Sequence, residues 1–335
     1  FDGVTSMCYV NHGIGVDFVD YAQYFDDNVD EDAISYLYLA NRLVKQVNSQ
    51  AFTIAEDVSG LPGLAFSSQL EGVGFDYRMS MGVADFWTKT LKECADEYWS
   101  PGDIFFRLTD KRPEEQVIAY AESHDQAMVG DQTFLSRMVG AEIYTAMRKD
   151  LATIGVQRAV ALHKIIRLLT LSLAQGGYMN FMGNEFGHPE WIDFPRKGND
   201  WSYRYARRQW NLATDENLVY SYLYLFDKDM INLVLEESIL DYLPQVLEQN
   251  FQMQVLAYSR GNYLFVANFS PQNSYTDYYV NCEKGKYTIV LNTDSEKFGG
   301  FSRIHSQCTY CNNGGGLSLY LPTRTMIVLR RSDEF

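Results

Sequence analysis

Short apolar runs that end in acidic residues are the most informative pattern in this sequence. Residues 117–121 form such a run between Pro113 and Gly130, and it is too short for a helix. We interpret it as a buried parallel strand. His124 and Asp125 follow directly after it. The pattern therefore predicts a titratable pair at the carboxyl edge of a sheet, where α/β barrels place their catalytic residues.

Two further runs have the same form. Residues 52–55 lead into Glu56, and Phe1 leads directly into Asp2. Because the carboxyl ends of parallel strands meet at one edge of a sheet, we expect Asp2, Glu56 and Asp125 to share one site.

The pattern up to about residue 245 alternates between helix and strand. A helix capped by Asp30 is predicted from a stripe of apolar residues at helical spacing, namely Ile34, Leu37, Val44 and Val47. Further helices are expected at 83–98 and 157–174, the second ended by Gly176 and Gly177. Further strands are expected at 75–78 and 178–182. This alternation predicts a parallel α/β sheet or barrel.

The character of the chain changes after residue 245. Turn residues separate six short β-rich runs at residues 254–259, 263–269, 275–280, 286–292, 317–321 and 325–330. Their spacing is typical of a β-sandwich. We therefore predict two domains, an α/β domain over residues 1–245 and an all-β sandwich over residues 246–335.

Charge is distributed unevenly between the two predicted domains. The chain has 28 basic residues (Lys and Arg) and 43 acidic residues (Asp and Glu). Residues 246–335 contain 8 of the basic and 7 of the acidic residues, so the acidic excess lies wholly in residues 1–245. This excess argues against a nucleic acid or an anionic lipid as partner. The 24 Tyr and 5 Trp suit stacking on neutral sugar rings, although aromatic residues more often serve in a core.

The five cysteines do not form a dense framework, and their odd number indicates reduced thiols in a cytosol-like compartment. Cys308 and Cys311 have the spacing of half a zinc site, but no second pair follows, so we expect no metal and no cofactor. No apolar run is long enough to span a membrane. The sequence has no initiator Met and opens within an apparent strand, so we expect that Phe1 is not the natural start.

Two carboxyl groups on either side of a glycosidic bond are the minimum for retaining chemistry on sugars. One must stay ionised to act as the nucleophile, and the other needs a raised pKa to donate a proton. A third can stabilise the oxocarbenium-like transition state. The alternative reading is that all three carboxylates are only polar residues at strand ends.

Local motifs favour the catalytic reading. The segments at residues 1–7, 53–60 and 121–126 occur in the order seen in the α-amylase superfamily. More closely, the sequence resembles the eukaryotic 1,4-α-glucan branching enzymes over nearly its whole length. The segments that carry this resemblance are residues 178–193, 194–199, 205–209 and 274–278.

The resemblance implies roles for six residues. Asp2 would be the nucleophile, Glu56 the general acid/base and Asp125 the transition-state stabiliser. His124 would hydrogen-bond the sugar at the cleavage subsite. Glu185 and Arg196 would shape the acceptor side, although a purely structural loop explains them equally well.

The resemblance also implies a (β/α)8 TIM-type barrel of which this chain holds only the later strands, followed by the sandwich. Counting by resemblance, Phe1 ends the fourth strand, and the run at residues 178–182 is the eighth. The family's upstream binding module and first strands are missing, so we interpret the chain as a C-terminal portion. The loop at residues 10–13 and the shortened segment at 150–154 also depart from the family pattern.

Two expectations about the structure follow. We expect about five parallel strands open on one side, and poor solubility and no activity for this portion alone. We expect roughly 5 Å between the carboxyl groups of Asp2 and Glu56, as a retaining mechanism requires.

The expected activity is glucan branching, in which an α-1,4 linkage is cut and the chain is passed to a 6-hydroxyl. The alternatives are a retaining hydrolase or debranching relative, or a non-catalytic glucan-binding protein. Steady release of reducing ends would favour the first alternative, and binding without turnover the second.

The expected partner is an α-1,4-glucan, as in glycogen, amylose or amylopectin, with no nucleic acid and no membrane. We expect a monomer when the protein is complete. The expected location is the cytoplasm, or a plastid if a transit peptide lies upstream.

Overall fold

The computed structural model describes residues 1–130, 132–189, 193, 195–204, 206–305 and 307–332. The chain divides into two compact units, which are described separately. The first consists of residues 1–82, 109–120 and 174–179, and the second of residues 83–108, 121–173 and 180 onward. Five residues of the motifs that carry the resemblance, Glu190, Trp191, Ile192, Phe194 and Tyr205, lie outside the described residues.

A parallel sheet lies at the centre of the first unit. Its strands, β1 (Ile54–Ala55), β2 (Tyr77–Met79), β3 (Val117–Ala119) and β4 (Gly176–Tyr178), pair side by side in chain order. Four strands are therefore described where we expected about five. Phe1 supplies only a single pairing residue, because its amino group donates to Ile54 O and its carbonyl accepts from Glu56 N, each at 2.9 Å.

Strand β4 corrects the prediction for residues 174–182. Gly176 and Gly177, expected to end a helix, lie inside β4, and the strand stops at Tyr178 instead of residue 182. A β-carbon on Gly176 would lie 2.6 Å from the carbonyl oxygen of Val117. Strands β3 and β4 approach so closely that only glycine fits at this position. A glycine in a sequence can therefore mark the close approach of two strands as well as the end of a helix.

Helices α1 (Val4–Cys8) and α2 (Glu31–Val47) pack against this sheet. Asp30 caps α2 as predicted, with its carboxylate accepting from Ala33 N. Leu37 is fully buried, but Val47 is 79% exposed, so Val47 was wrongly placed in the buried stripe. The stripe ends early because the last turn of α2 extends beyond the core.

The other α-helices lie in the second unit, although α3 begins two residues before that unit starts and α4 ends one residue beyond its first segment. They are α3 (Met81–Glu93), α4 (Pro101–Thr109), α5 (Phe134–Val139), α6 (Ile154–Ser172), α7 (Asn211–Thr214) and α8 (Tyr220–Glu236). The predicted helices at 83–98 and 157–174 correspond to α3 and α6. Within the described part of the chain, no helix is long and apolar enough to cross a membrane.

Two antiparallel sheets complete the second unit and confirm the predicted sandwich. Their strands are β5 (Gln245–Asn250), β6 (Val255–Arg260), β7 (Tyr263–Asn268), β8 (Tyr275–Val280), β9 (Gly285–Asn292), β10 (Thr309–Asn312), β11 (Leu317–Leu321) and β12 (Thr325–Ser332). The order in the large sheet is β10-β9-β12-β7-β6-β5, and β11 pairs with β8 in the small one. Alternate residues of both sheets form one core, including Val266, Leu319 and Ile327.

Buried cations connect the helices of the second unit to its sheets. The Lys164 ammonium on α6 donates to the carbonyls of Thr293 at 2.5 Å and Phe298 at 2.7 Å. The Asp96 carboxylate accepts from Arg324 at 2.6 Å. The Arg260 guanidinium on β6 donates to Ser172 O at 2.6 Å. Charged hydrogen bonds therefore connect the β-domain to the helical part of the second unit at three separate places. The domain boundary at residues 245 and 246 stays a prediction.

Candidate active site

Asp2 and Glu56 lie on adjacent segments of the first unit. The Glu56 carboxylate Oε2 accepts a hydrogen bond from Gly3 N at 2.7 Å, and the Glu56 carbonyl accepts from Val4 N at 2.9 Å. Gly3 has a φ of 60°, which turns the chain from Phe1 into helix α1. Together with the hydrogen bond from Glu56 N to Phe1 O described above, these two contacts fix Glu56 to the residues on both sides of Asp2. Asp2 itself is exposed and Glu56 is half-buried.

The residue after Glu56 belongs to a buried charge network that the sequence analysis missed. Asp57 forms an ion pair with Arg78 of β2, and Arg78 also pairs with Glu115 at 2.8 Å. Asp57 Oδ1 accepts from the Thr5 hydroxyl at 2.6 Å, which ties α1 to the same network. Burial works against the charge of Arg78, but the two carboxylates outweigh it and raise the pKa of the guanidinium. This network fixes the position of the segment that contains Glu56 and Asp57.

His124 and Asp125 form a second pair, in the second unit. His124 Nε2 lies 3.3 Å from Asp125 Oδ1, and both side chains are about half exposed. They come five and six residues after β3, at the start of a π-helical segment, Asp125–Gly130. Ser123 supports the pair, because its hydroxyl oxygen accepts from Asp125 N at 3.2 Å.

Glu122 is the buried carboxyl group of this loop. It is only 3% exposed, and its Oε2 accepts a hydrogen bond from Phe134 N at 2.9 Å. Burial raises the pKa of Glu122 to about 7, a shift that Phe134 N and the charge of Arg167 reduce only in part. Glu122, two residues before His124 in the sequence, therefore titrates near neutral pH.

We expect the Glu122→Gln substitution to change how the stability of the chain depends on pH. The unfolded glutamate loses its proton near 4.5, whereas the folded one holds it to about 7. Glu122 therefore lowers the free energy of unfolding as pH rises through this window, by up to about 3 kcal/mol. Urea unfolding at pH 5 and pH 8 should show the variant gaining stability relative to wild type at the higher pH.

The control for this prediction is Glu114→Gln, which neutralises an exposed carboxylate on the loop before β3. Its difference from wild type should be nearly the same at both pH values. An equally constant difference for Glu122→Gln would contradict the assignment of this transition to Glu122.

The Phe181 ring joins His124 to the loop that follows β4. Its centroid lies 6.0 Å from the His124 ring and 5.0 Å from the Arg208 guanidinium carbon. Arg208 also donates to Met182 O at 2.7 Å and to Asn184 Oδ1 at 3.1 Å. An aromatic ring, an imidazole and a guanidinium therefore lie on one surface of the second unit.

Glu185 and Arg196 make contacts within their own loops. Glu185 lies in a short 3₁₀ helix, Asn184–Phe186, and its carboxylate accepts from Gly183 N at 2.6 Å. Burial raises the pKa of Glu185. The exposed Arg196 forms an ion pair with Asp193, with Nε 3.0 Å from Oδ1. Their expected role at the acceptor side stays a prediction.

The six expected site residues thus form two groups. Asp2 and Glu56 lie together in the first unit, whereas His124, Asp125, Glu185 and Arg196 belong to the second. The convergence of both groups on one site, and the 5 Å carboxyl separation, stay predictions. One sequence signal pointed towards the missed network, because Arg78 places a charge within a predicted strand and a buried charge requires partners.

The β-domain and the fold of the chain both resemble those of known proteins. Residues 248–332 match the family model described as alpha amylase, C-terminal all-beta domain. The crystal structure of Ttha1563 from Thermus thermophilus has a similar fold, with a TM-score of 0.54. That match is 19% identical in sequence and covers 90% of this chain and 57% of that one. The chain therefore combines a parallel α/β sheet with a β-domain of the type found at the C-terminus of alpha amylases.

The sequence of the chain is 46% identical to the 1,4-alpha-glucan-branching enzymes of Rhizophagus irregularis and Felis catus, over 98% and 99% of this chain. It is also 46% identical to the enzyme of that name from Solanum tuberosum over 90% of this chain. The chain therefore belongs to the 1,4-alpha-glucan-branching enzyme family, which confirms the resemblance seen in its motifs. It spans about half the length of the curated relatives from the first two organisms.

Proposed function

We propose that the whole protein is a glucan branching transferase. It cleaves an α-1,4 linkage in a glucan such as glycogen or starch and transfers the released chain to a 6-hydroxyl, which creates an α-1,6 branch. The observation that carries this proposal is the hydrogen bond from Gly3 N to Glu56 Oε2, which attaches Glu56 to the residue that follows Asp2. This contact occurs in a chain 46% identical to proteins named for that activity.

In the first half-reaction Glu56 transfers its proton to the glycosidic oxygen as the bond between that oxygen and C1 breaks. An oxygen of the Asp2 carboxylate bonds to C1 and holds the chain as a glucosyl ester. Asp125 stabilises the positive charge that develops on the sugar ring, and His124 hydrogen-bonds a sugar hydroxyl. The contacts of Glu56 with Gly3 and Val4 support this assignment, because they hold the acid close to the nucleophile.

In the second half-reaction Glu56 accepts the proton of an incoming 6-hydroxyl. The oxygen of that hydroxyl replaces Asp2 at C1, and the carboxylate of Asp2 leaves ionised. Water would give hydrolysis at this step, so the acceptor glucan must be held in place before the ester is attacked. We propose that Glu185 and Arg196 contribute to that acceptor side.

Incubation of the whole protein with amylose tests this function. Branching lowers iodine staining, creates α-1,6 linkages and releases little reducing sugar. Steady release of reducing ends would instead identify a hydrolase or debranching relative. Binding of amylose without any turnover would identify a non-catalytic glucan-binding protein.

We expect Glu56→Gln to separate the two half-reactions. Glutamine cannot protonate a sugar oxygen, so turnover of amylose should fall by at least about 10³-fold. An α-glucosyl substrate with an activated leaving group needs no proton donor and should still form an ester on Asp2. Mass spectrometry of the peptide that contains Asp2 should detect that ester.

Glu93→Gln, which neutralises an exposed carboxylate at the end of α3, is the matched control for turnover and should behave as wild type. Equal loss of activity towards natural and activated substrates in Glu56→Gln, with no trapped ester, would contradict the role of Glu56 as acid/base.

We also propose a cytoplasmic location and a monomeric state for the whole protein. The location is supported by five cysteines that are all free thiols, at positions 8, 94, 282, 308 and 311.

A further inference from the structure

A groove of about 680 Å³ lies on the β-domain of the second unit. Its walls come from the segment before β5, from the turn between β6 and β7, and from the segment between β8 and β9. Its volume lies within the range of small-ligand pockets in proteins. None of the six expected site residues lines it.

Tyr242 forms an exposed aromatic platform in this groove. Its side chain is 54% exposed, yet its backbone is rigidly held. The buried guanidinium of Arg260 donates to Tyr242 O at 2.6 Å and to Leu240 O at 2.9 Å. These charge-assisted hydrogen bonds fix the position of the segment that carries the ring.

The neighbouring turn is shaped to accommodate the Tyr242 ring. Gly261, with a φ of 57°, is the first residue of the two-residue turn between β6 and β7. A β-carbon at this position would lie 2.7 Å from Cδ2 of Tyr242. The ring therefore lies flat against the turn because glycine leaves the space for it.

Amide and hydroxyl groups surround the platform. Gln245, Asn262 and Asn281, which carry amide side chains, line the groove together with Tyr263 and Tyr287. The Tyr287 hydroxyl donates to Glu283 O at 2.9 Å. Such groups both donate and accept hydrogen bonds. The Oδ1 of Asn262 accepts from the Arg331 guanidinium at 3.0 Å, which orients the amide. The charge of Arg331 is compensated, because it forms an ion pair with Glu283. Among the lining residues, Asp241 is the remaining charged one, and amide groups outnumber it. The groove therefore suits a ligand with many hydroxyls.

We propose that this groove is an accessory binding site for a linear α-1,4-glucan chain. One sugar ring stacks its apolar face on Tyr242, and the amide side chains hydrogen-bond the hydroxyls of neighbouring sugars. The proposal rests on the proposed function, because that function supplies the glucan. By this proposal the β-domain binds substrate glucan chains at a site separate from the six expected site residues.

Hydrogen exchange of the whole protein with and without maltoheptaose tests the proposal. We expect the sugar to protect the backbone amides of residues 241–247 and 259–263, which border the groove. In Tyr242→Ala this protection should be lost or require at least tenfold more sugar, since stacking on the ring is removed. Tyr242→Phe keeps the ring and should keep the protection.

The matched control is Tyr279→Ala, which removes an equally exposed tyrosine (56%) of the same β-domain from outside the groove. It should leave the protection unchanged, and thermal unfolding checks that all variants are folded. Absent protection, or protection that persists in Tyr242→Ala, overturns the proposal while branching of amylose leaves the proposed function intact. Absence of both branching and any glucan binding would instead overturn the proposed function as well.

Discussion

Replacing Asp2 by Asn is expected to lower the branching rate of the whole protein by 10⁴-fold or more, roughly the loss that follows removal of a covalent nucleophile. An amide oxygen cannot form the glucosyl ester, so cleavage and transfer should be lost together. The rates are measured with amylose, by iodine staining for branching and by reducing-end release for cleavage. Asp2 is exposed and its neighbours are held by the Glu56 contacts, so the variant should fold normally.

Asp17→Asn is the control, because it removes the charge of another exposed aspartate of the same unit without touching Glu56. Its branching rate should stay within twofold of wild type. Near-normal turnover by Asp2→Asn, with Asp17→Asn equally active, would show that the nucleophile has been assigned to the wrong residue.

The second large effect concerns stability. We expect Arg78→Met to destabilise the chain by about 3–5 kcal/mol, the usual result of removing one partner of a buried ion pair. Methionine fills much of the arginine's volume, but it leaves the buried carboxylates of Asp57 and Glu115 without their shared cation. Urea or guanidinium unfolding, monitored by far-ultraviolet circular dichroism, measures the change in the free energy of unfolding.

Two comparisons make this test specific. Arg42→Met removes an exposed arginine of α2 and should cost less than about 1 kcal/mol. Adding Asp57→Asn and Glu115→Gln to Arg78→Met removes both uncompensated charges and should recover part of the stability. A loss below about 1 kcal/mol for Arg78→Met alone would mean that the network is not a stabilising centre of the first unit.

Many of the elements that bury an apolar face were predicted from the sequence, although helices α4 and α8 were not. The six β-rich runs after residue 245 all became strands, and the helix at 157–174 is α6. Two strands were missed, β5 and β10, because they are polar and largely exposed. Their position is determined by backbone pairing with β6 and β9, which leaves no hydrophobic pattern in the sequence.

The candidate site was predictable in part, for a similar reason. Glu56 and Asp125 were predicted because each comes after a short apolar run, and Asp2 because it follows Phe1. Their shared site stays a prediction. The Asp57, Arg78 and Glu115 network was not predicted, because its members lie far apart in sequence and only the fold brings them together. The charge of Arg78 within a strand indicated that buried partners exist, but it did not indicate which residues they are. Likewise, the burial of Glu122 depends on packing that brings Phe134 back over the loop.

The contacts of Lys164, Asp96 and Arg260 limit how far this protein can be treated as a set of exchangeable modules. The strands beyond residue 245 match a family model as a separate block, yet Thr293 and Phe298 supply the only acceptors that the described structure gives the Lys164 ammonium. Burial already lowers the pKa of this amine to about 7. A β-domain grafted from a distant relative would therefore have to reproduce these carbonyl positions. The β-domain and helix α6 therefore form one structural unit, and neither can be exchanged without the other.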